Sequence, residues 1–288
     1  MKLVTYRHDG AVQHGYLLED ETVVQPLGTG DLGPLLEPLH RKGTLRATDP
    51  ALPVADVELL APLLRPGKLL AAAANYQDHV TESGAPPLDR SRLSPRLFLK
   101  PSTSIVGPGA DIPLPTVSKE VDWEAELGVV IGTTARDVPV EAALDIVVGY
   151  LTSNDVSARS MDFGYERDTG DKAVWFFDWL AGKWLDGFAP LGPYLVTADE
   201  VPDPQALELT LDVNGQRKQH GSTKDMIFSC AELVSFASTL MTLEPGDVLL
   251  TGTPSGVGAA TGEYLKAGDE MSVTVAGLGT LTNRMVGP

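Results

Sequence analysis

The chain has 288 residues, 43% of them hydrophobic, and carries 39 acidic against 22 basic side chains for a net charge of −17. That charge argues against general nucleic-acid binding, because phosphates would be repelled; it is dispersed, with no acidic tail, which fits a role in solubility. No apolar run is long enough to span a membrane, the first ten residues lack the apolar core of a signal peptide, and the one cysteine, Cys230, cannot build a disulfide framework. These features lead to the expectation of a cytoplasmic enzyme or binding protein, built as one large domain or a large and a small one.

Residues 1 to 64 read as a small β domain. Lys2–Arg7, Gly15–Leu18 and Glu21–Gln25 form a meander with turns at Asp9-Gly10 and Glu19-Asp20, and the stretch from Pro34 to Leu63 has room for a short helix. The Pro/Gly junction Leu64-Arg-Pro-Gly-Lys68 marks the boundary to a second domain, 65–288. There strands dominate: Lys68–Ala73, Leu97–Lys100, Trp123–Ile131, Ile146–Ser153, Tyr194–Thr197, Leu207–Val213, Asp247–Thr251 and Met271–Val275. Asn214-Gly215 is the signature of a tight hairpin turn. Leu233, Val234, Phe236, Ala237, Leu240 and Met241 recur at helical spacing, with Pro245-Gly246 just beyond. Strands outnumber helices and do not alternate with them, so the fold class is mixed, β-rich α+β.

The segment V-D-W-E-A-E-L-G-V-V at 121–130 places Glu124 and Glu126 on one face of the expected strand, roughly 7 Å apart. Either the pair sits solvated at a sheet edge, or a divalent cation relieves its repulsion. A second apolar run, 145–155, ends in Asn154-Asp155, where the acid is a helix cap or a functional group. Three carboxylates without thiolate or H-x-x-x-H partners favour Mg²⁺, Mn²⁺ or Ca²⁺ over zinc. His79 and Glu82 lie one helical turn apart, as a surface ion pair or as a general base with its orienting acid. The loop Thr251-Gly-Thr-Pro-Ser-Gly-Val-Gly258 lacks both the phosphate-loop and the dinucleotide fingerprints.

Together these residues resemble the fumarylacetoacetate hydrolase family, short bacterial members. The motifs are N-Y-Q-D-H-V-T-E at 75–82, R-L-F-L-K-P-S-T-S-I-V-G-P at 96–108, D-W-E-A-E-L-G-V-V-I-G at 122–132, S-N-D-V-S-A-R at 153–159, G-F-A-P-L-G-P at 187–193 and M-T-L-E-P-G-D-V-L-L-T-G-T-P-S-G-V-G at 241–258. They run in order over about residues 68 to 286. The resemblance implies a β-roll of the family's type with a small N-terminal β domain, and a homodimer. It also implies Mg²⁺ or Mn²⁺ on Glu124, Glu126 and Asp155, and 2-oxo acid substrates. By the same resemblance His79 and Glu82 activate water on a segment that closes as a lid, Lys183 faces the substrate, and Thr253 contacts its carboxylate. Lys100 and Arg159 are further cations in matching motifs; Arg159 has either a metal-ligand carboxylate or the substrate as its partner.

Two departures stand out: Trp184 and Gly187 replace a small hydroxyl residue and a threonine, and the 173–180 stretch is unusually aromatic. The activity expected is hydrolysis of the C–C bond of acylpyruvate-like 2,4-dioxo acids. The alternatives are isomerisation of 2-hydroxymuconate-type acids and decarboxylation of oxaloacetate. Outside enzymes, a structural Ca²⁺ module would leave His79 and Lys183 without a task.

Overall fold

The computed structural model describes residues 1–18 and 20–288. Among these, twelve strands join in one sheet and five in a second. At the centre of the large sheet, Ala125–Ile131 runs antiparallel to Val147–Asn154 on one side and to Val248–Leu250 on the other. Every residue of the first two strands is buried. Their unbroken apolar runs follow from cover on both faces, so of the two alternatives for the glutamate pair the solvated sheet edge does not hold for Glu126. Beyond Val248–Leu250 the sheet continues through Leu69–Ala73, paired in parallel, to Arg96–Lys100.

On the other side Val147–Asn154 pairs with Ala189–Thr197, which pairs in turn with Lys2–His8 through Lys2↔Val196 and Leu3↔Leu195. The N-terminal meander, Lys2–His8, Ala11–Leu18 and Val23–Thr29, therefore extends the sheet that carries the carboxylates. Its first turn has both Asp9 and Gly10 at positive φ, as a two-residue hairpin requires. Of the expected Glu19-Asp20 turn, Glu19 lies outside the described residues. Helix α1, Gly33–His40, supplies the short helix, with Leu32 and Leu36 fully buried.

The second sheet, with Glu208–Val213, Gln216–Ser222, Glu270–Val275 and Gly279–Val286, packs Leu211, Val273 and Met285 against Trp123, Ala125 and Phe188. Its hairpin turns at Asn214 and Gly215, both at positive φ.

Three expectations change. The strand anticipated over Trp123–Ile131 is broken: Val121–Asp122 pairs with Ser157–Ala158 in a separate ribbon, and the Glu124 N–H turns to Asn154 Oδ1 at 2.9 Å. The helix anticipated around Leu233 is α4, Cys230–Leu240, held by a Ser229/Glu232 capping box. Its buried face is Cys230, Leu233, Val234 and Ala237, whereas Leu240 is exposed and Met241 already caps the end. Between α2 (Gln77–Glu82) and α4 lies α3, Lys172–Ala181, in the aromatic stretch for which no element was expected.

Candidate metal centre and active site

Glu126 sits on the central strand and Asp155 follows the end of its neighbour, where Ala125 faces Asn154 and Glu126 faces Ser153. The strand break turns Glu124 toward the same point. Asp155 N–H donates to Glu124 O at 2.8 Å, and Asn154 accepts from Glu124 N–H, so backbone bonds fix both acids. The three side chains are buried, with ligand atoms all within 4.8 Å of one another.

Three buried or half-buried cations approach this cluster. Lys183 Nζ donates to Glu124 Oε2 and Asp155 Oδ2, each at 2.7 Å. Lys100 Nζ donates to Asp155 Oδ1. Arg159 Nε donates to Asp122 Oδ2 at 2.8 Å, and its Nη2 lies 2.7 Å from Glu124 Oε1. Of the two partners left open for Arg159, the structure brings it to carboxylates. Four acids thus face three cations, and the acid without an ion pair among the described residues is Glu126. Its polar partner is the Gly252 N–H, 2.8 Å from Oε2.

The protonation equilibria follow from this arrangement. Burial, then repulsion from Asp155 and Glu124, pushes the Glu126 carboxyl well above the usual range. Glu124 is equally buried, but Lys183 and Arg159 outweigh burial and hold it well below that range. Burial works against the Lys183 ammonium, yet Asp155 and Glu124 raise its pKa; Lys100, enclosed in the protein, is lowered by burial. An all-oxygen donor set with one uncompensated anion fits a hard divalent cation, which would provide the charge that Glu126 lacks.

Above the carboxylates, α2 presents His79. Its Nδ1 lies 2.6 Å from Glu82 Oε1, and Glu82 Oε2 accepts from the Gly256 N–H at 2.6 Å. Asp78 accepts from the hydroxyl of Ser255 at 2.7 Å, so α2 is fastened to the 251–258 loop at two points. A proton on Nδ1 shared with Glu82 leaves Nε2 with its lone pair free to act as a base. Gly256 is required where it stands: its φ is +103°, and a Cβ would lie 2.1 Å from the Lys218 carbonyl oxygen.

The loop is anchored from beneath. Asn75 donates to the carbonyls of Thr251 and Phe228 and accepts from the Phe228 N–H. Gln219, fully buried, accepts from Ala125 N–H and donates to Thr253 Oγ1 and Pro254 O, each at 2.8 Å. Sequence reasoning did not single out Gln219. The Asn-Gly hairpin announced its strand, but nothing local announces a glutamine that joins the carboxylate strand to the Thr253 loop.

These groups open onto a cavity of about 560 Å³. Glu124, Glu126, Asp155, His79, Lys183, Arg159 and Thr253 line it. Glu82 stands behind His79. Lys100 stands behind Asp155 with its side chain fully enclosed, so its contact is with a carboxylate rather than with a substrate in the cavity. The remaining wall is mostly apolar, with Phe98 and, from α3, Trp175, Phe176 and Trp179, and it includes Arg96.

A β-rich roll with an acidic triad under a histidine-bearing helix defines a class, and sequence comparison agrees with it. Residues 68–286 match the fumarylacetoacetate (FAA) hydrolase C-terminal family, and residues 1–62 match the Rv2993c-like N-terminal family. The chain belongs to the fumarylacetoacetate hydrolase family. It is 43% identical over 248 residues to protein Rv2993c of Mycobacterium tuberculosis, covering 86% of this chain and 85% of that one. Among solved structures it resembles a 5-carboxymethyl-2-hydroxymuconate delta-isomerase from Mycobacterium smegmatis, with a TM-score of 0.79 and 35% identity over the whole of both chains. A fumarylacetoacetate hydrolase from the psychrophile Exiguobacterium antarcticum gives 0.81 and 34%, again with full coverage of both. Isomerase and hydrolase relatives are thus about equally near, and the choice between them rests on the site.

Proposed function

We propose that the protein is a divalent-metal-dependent hydrolase that cleaves 2,4-dioxo acids of the acylpyruvate type, consuming water and giving pyruvate and a carboxylic acid. The observation that carries this reading is the His79–Glu82 pair facing the carboxylate cluster across one cavity. Hydrolysis needs a base for water, and an imidazole oriented through Nδ1 by a carboxylate is built for that task. A Mg²⁺ or Mn²⁺ ion held by Glu124, Glu126 and Asp155 would supply Lewis-acid stabilisation of negative charge developing on the substrate's oxygens.

The chain's own residues do the rest. His79 Nε2 takes a proton from water as the hydroxide oxygen bonds to C4. The C3–C4 bond then breaks, its electron pair passes toward the 2-oxo group, and C3 is reprotonated to give pyruvate. Lys183, fixed at the cavity wall by two carboxylates, offsets part of the charge that accumulates. Thr253, held by Gln219, is the candidate contact for the substrate carboxylate.

Isomerisation of a 2-hydroxymuconate-type acid is the second reading, favoured by the likeness to the M. smegmatis isomerase. The same His79 would then move a proton between carbons, with no water consumed. A panel of 2,4-dioxo and 2-hydroxymuconate-type acids with Mg²⁺ or Mn²⁺, scored for released pyruvate, for CO₂ and for an absorbance change without release of either, separates hydrolysis, decarboxylation and isomerisation. His79→Ala should lower dioxo-acid hydrolysis by about 10²–10⁴-fold, the usual range for general acid–base catalysis. Oxaloacetate decarboxylation, which needs no attacking water, should fall less; equal losses would reject the water-activating role.

A further inference from the structure

The aromatic stretch that departs from the family pattern supplies part of the cavity wall. Helix α3 begins at a capped N-terminus, with Asp171 accepting from Ala173 N–H and Val174 N–H, and sends Trp175, Phe176 and Trp179 to the cavity wall. Phe98 meets Trp179 edge to face at 5.1 Å, and Phe176 stacks on Trp179 at 6.0 Å. Phe98, Trp179 and Phe176 form a continuous track, and its inner end is at the charged site: Lys183 Nζ lies 5.5 Å from the Phe98 centroid and 6.0 Å from that of Trp179. A ligand with its oxygen-rich head beside Lys183 would therefore lay its far end along aromatic faces.

Exposure sharpens the point. Trp175 is 64% and Phe176 48% exposed, although both border a cavity. Large rings left open beside a polar head site are what an apolar ligand group would cover. Among the described residues the cation on this outer part of the wall is Arg96, itself exposed, where a distal carboxylate would remain hydrated and gain little.

We propose that the substrate's acyl tail is an uncharged aromatic or bulky apolar group held by Trp175, Phe176, Trp179 and Phe98, rather than a chain ending in a carboxylate. This rests on the reading above that the head group is a 2-oxo acid. On that reading the physiological reaction releases pyruvate and an aromatic or branched carboxylic acid. The class of reaction that supplies the substrate is one that leaves an aryl or bulky alkyl group on C4 of a 2,4-dioxo acid.

The test separates binding from turnover. With Mg²⁺ present, pyruvate, phenylpyruvate and 2-oxoglutarate are titrated by calorimetry and by tryptophan fluorescence. Phenylpyruvate should bind about 10–100-fold more tightly than pyruvate and quench the fluorescence, the range that added apolar contact supplies in a pocket. Trp175→Ala and Phe176→Ala, both at exposed positions, should each cut that advantage severalfold, and Trp175→Phe should restore most of it. 2-Oxoglutarate binding as tightly as phenylpyruvate would overturn the inference and assign the distal contact to Arg96.

Turnover is then compared for 2,4-dioxo acids bearing phenyl, methyl or carboxyvinyl groups at C4. Cleavage of the methyl and carboxyvinyl compounds with no phenyl preference in binding or rate overturns this inference and leaves the hydrolase reading standing. Tight phenylpyruvate binding without cleavage of any dioxo acid supports the tail site and removes the hydrolase reading instead. Failure of all three 2-oxo acids to bind removes both.

Discussion

Replacing Glu126 with glutamine tests the charge balance of the site directly. The amide keeps the side chain's size and still offers an oxygen to the Gly252 N–H, but it removes the carboxylate of the cluster that has no ion pair among the described residues. In metal-free protein that charge is repelled by Glu124 and Asp155, so the variant should melt no lower than wild type and should gain on the order of 1 kcal/mol. Glu124→Gln changes the formal charge identically but strips a partner from Lys183 and Arg159. Breaking a buried pair in this way costs about 3–5 kcal/mol. Two isosteric substitutions two residues apart should therefore move metal-free stability in opposite directions.

Metal adds a second contrast. A ligand at a hundred times its dissociation constant stabilises by about 2.7 kcal/mol. For a chain near this size that raises Tm by roughly 5–10 °C, at about 2–4 °C per kcal/mol. Wild type should show this rise on adding Mn²⁺ to chelator-treated protein, and Glu126→Gln should lose most of it. The assay is thermal unfolding at pH 7.5 with EDTA and with excess Mn²⁺. A metal-free Glu126→Gln that melts well below wild type, or that keeps the full Mn²⁺ shift, would refute both the charge count and the assignment of Glu126 as a ligand.

Gln219→Leu should destabilise by about 2–5 kcal/mol in denaturant unfolding, because it orphans the buried Ala125 N–H and the Pro254 carbonyl and releases Thr253; a change under about 0.5 kcal/mol would show the network to be dispensable. Burial raises the Cys230 thiol to about 12, so thiolate is scarce at all pH values well below that. Folded protein should leave Cys230 unreactive toward a disulfide reagent at pH 8, with one equivalent of thiol appearing on denaturation; rapid labelling of the native state would contradict its placement in the core.

What the sequence made legible was local. Asp9-Gly10 and Asn214-Gly215 specify their turns because few residues accept positive φ twice in succession. The His79–Glu82 spacing fixes a one-turn contact wherever a helix forms, and the apolar runs ending at Asn154 and beginning after Glu124 mark buried strands. The rest depends on tertiary partners. The break at Trp123–Glu124 arises from Asn154 and from the ribbon with Ser157–Ala158, neither of which propensity can foresee. Lys100 and Lys183 look like ordinary surface lysines until the fold buries them against Asp155. Helix α3 gives little amphipathic signal because its aromatic residues face a cavity and solvent instead of a core: it contains no fully buried residue. Gly279–Val286 is hard to read as a strand for a related reason: its inward positions include the polar Asn283, which donates to the carbonyls of Gly107 and Ala110.

The placement of α3 has an evolutionary consequence. Glu126 lies on a fully buried strand of the large sheet, and the ion-paired acids Glu124 and Asp155 lie directly beside the ends of such strands, where breaking a buried pair costs roughly 3–5 kcal/mol and threatens the fold itself. Trp175 and Phe176 project from a peripheral helix with its own cap, where most substitutions shift stability by about half a kcal/mol or less. Drift can therefore rewrite the outer wall of the cavity while the chemistry beneath is held constant. A lineage built on this scaffold can explore new tails on an old head group by neutral steps, each intermediate sequence remaining folded and competent.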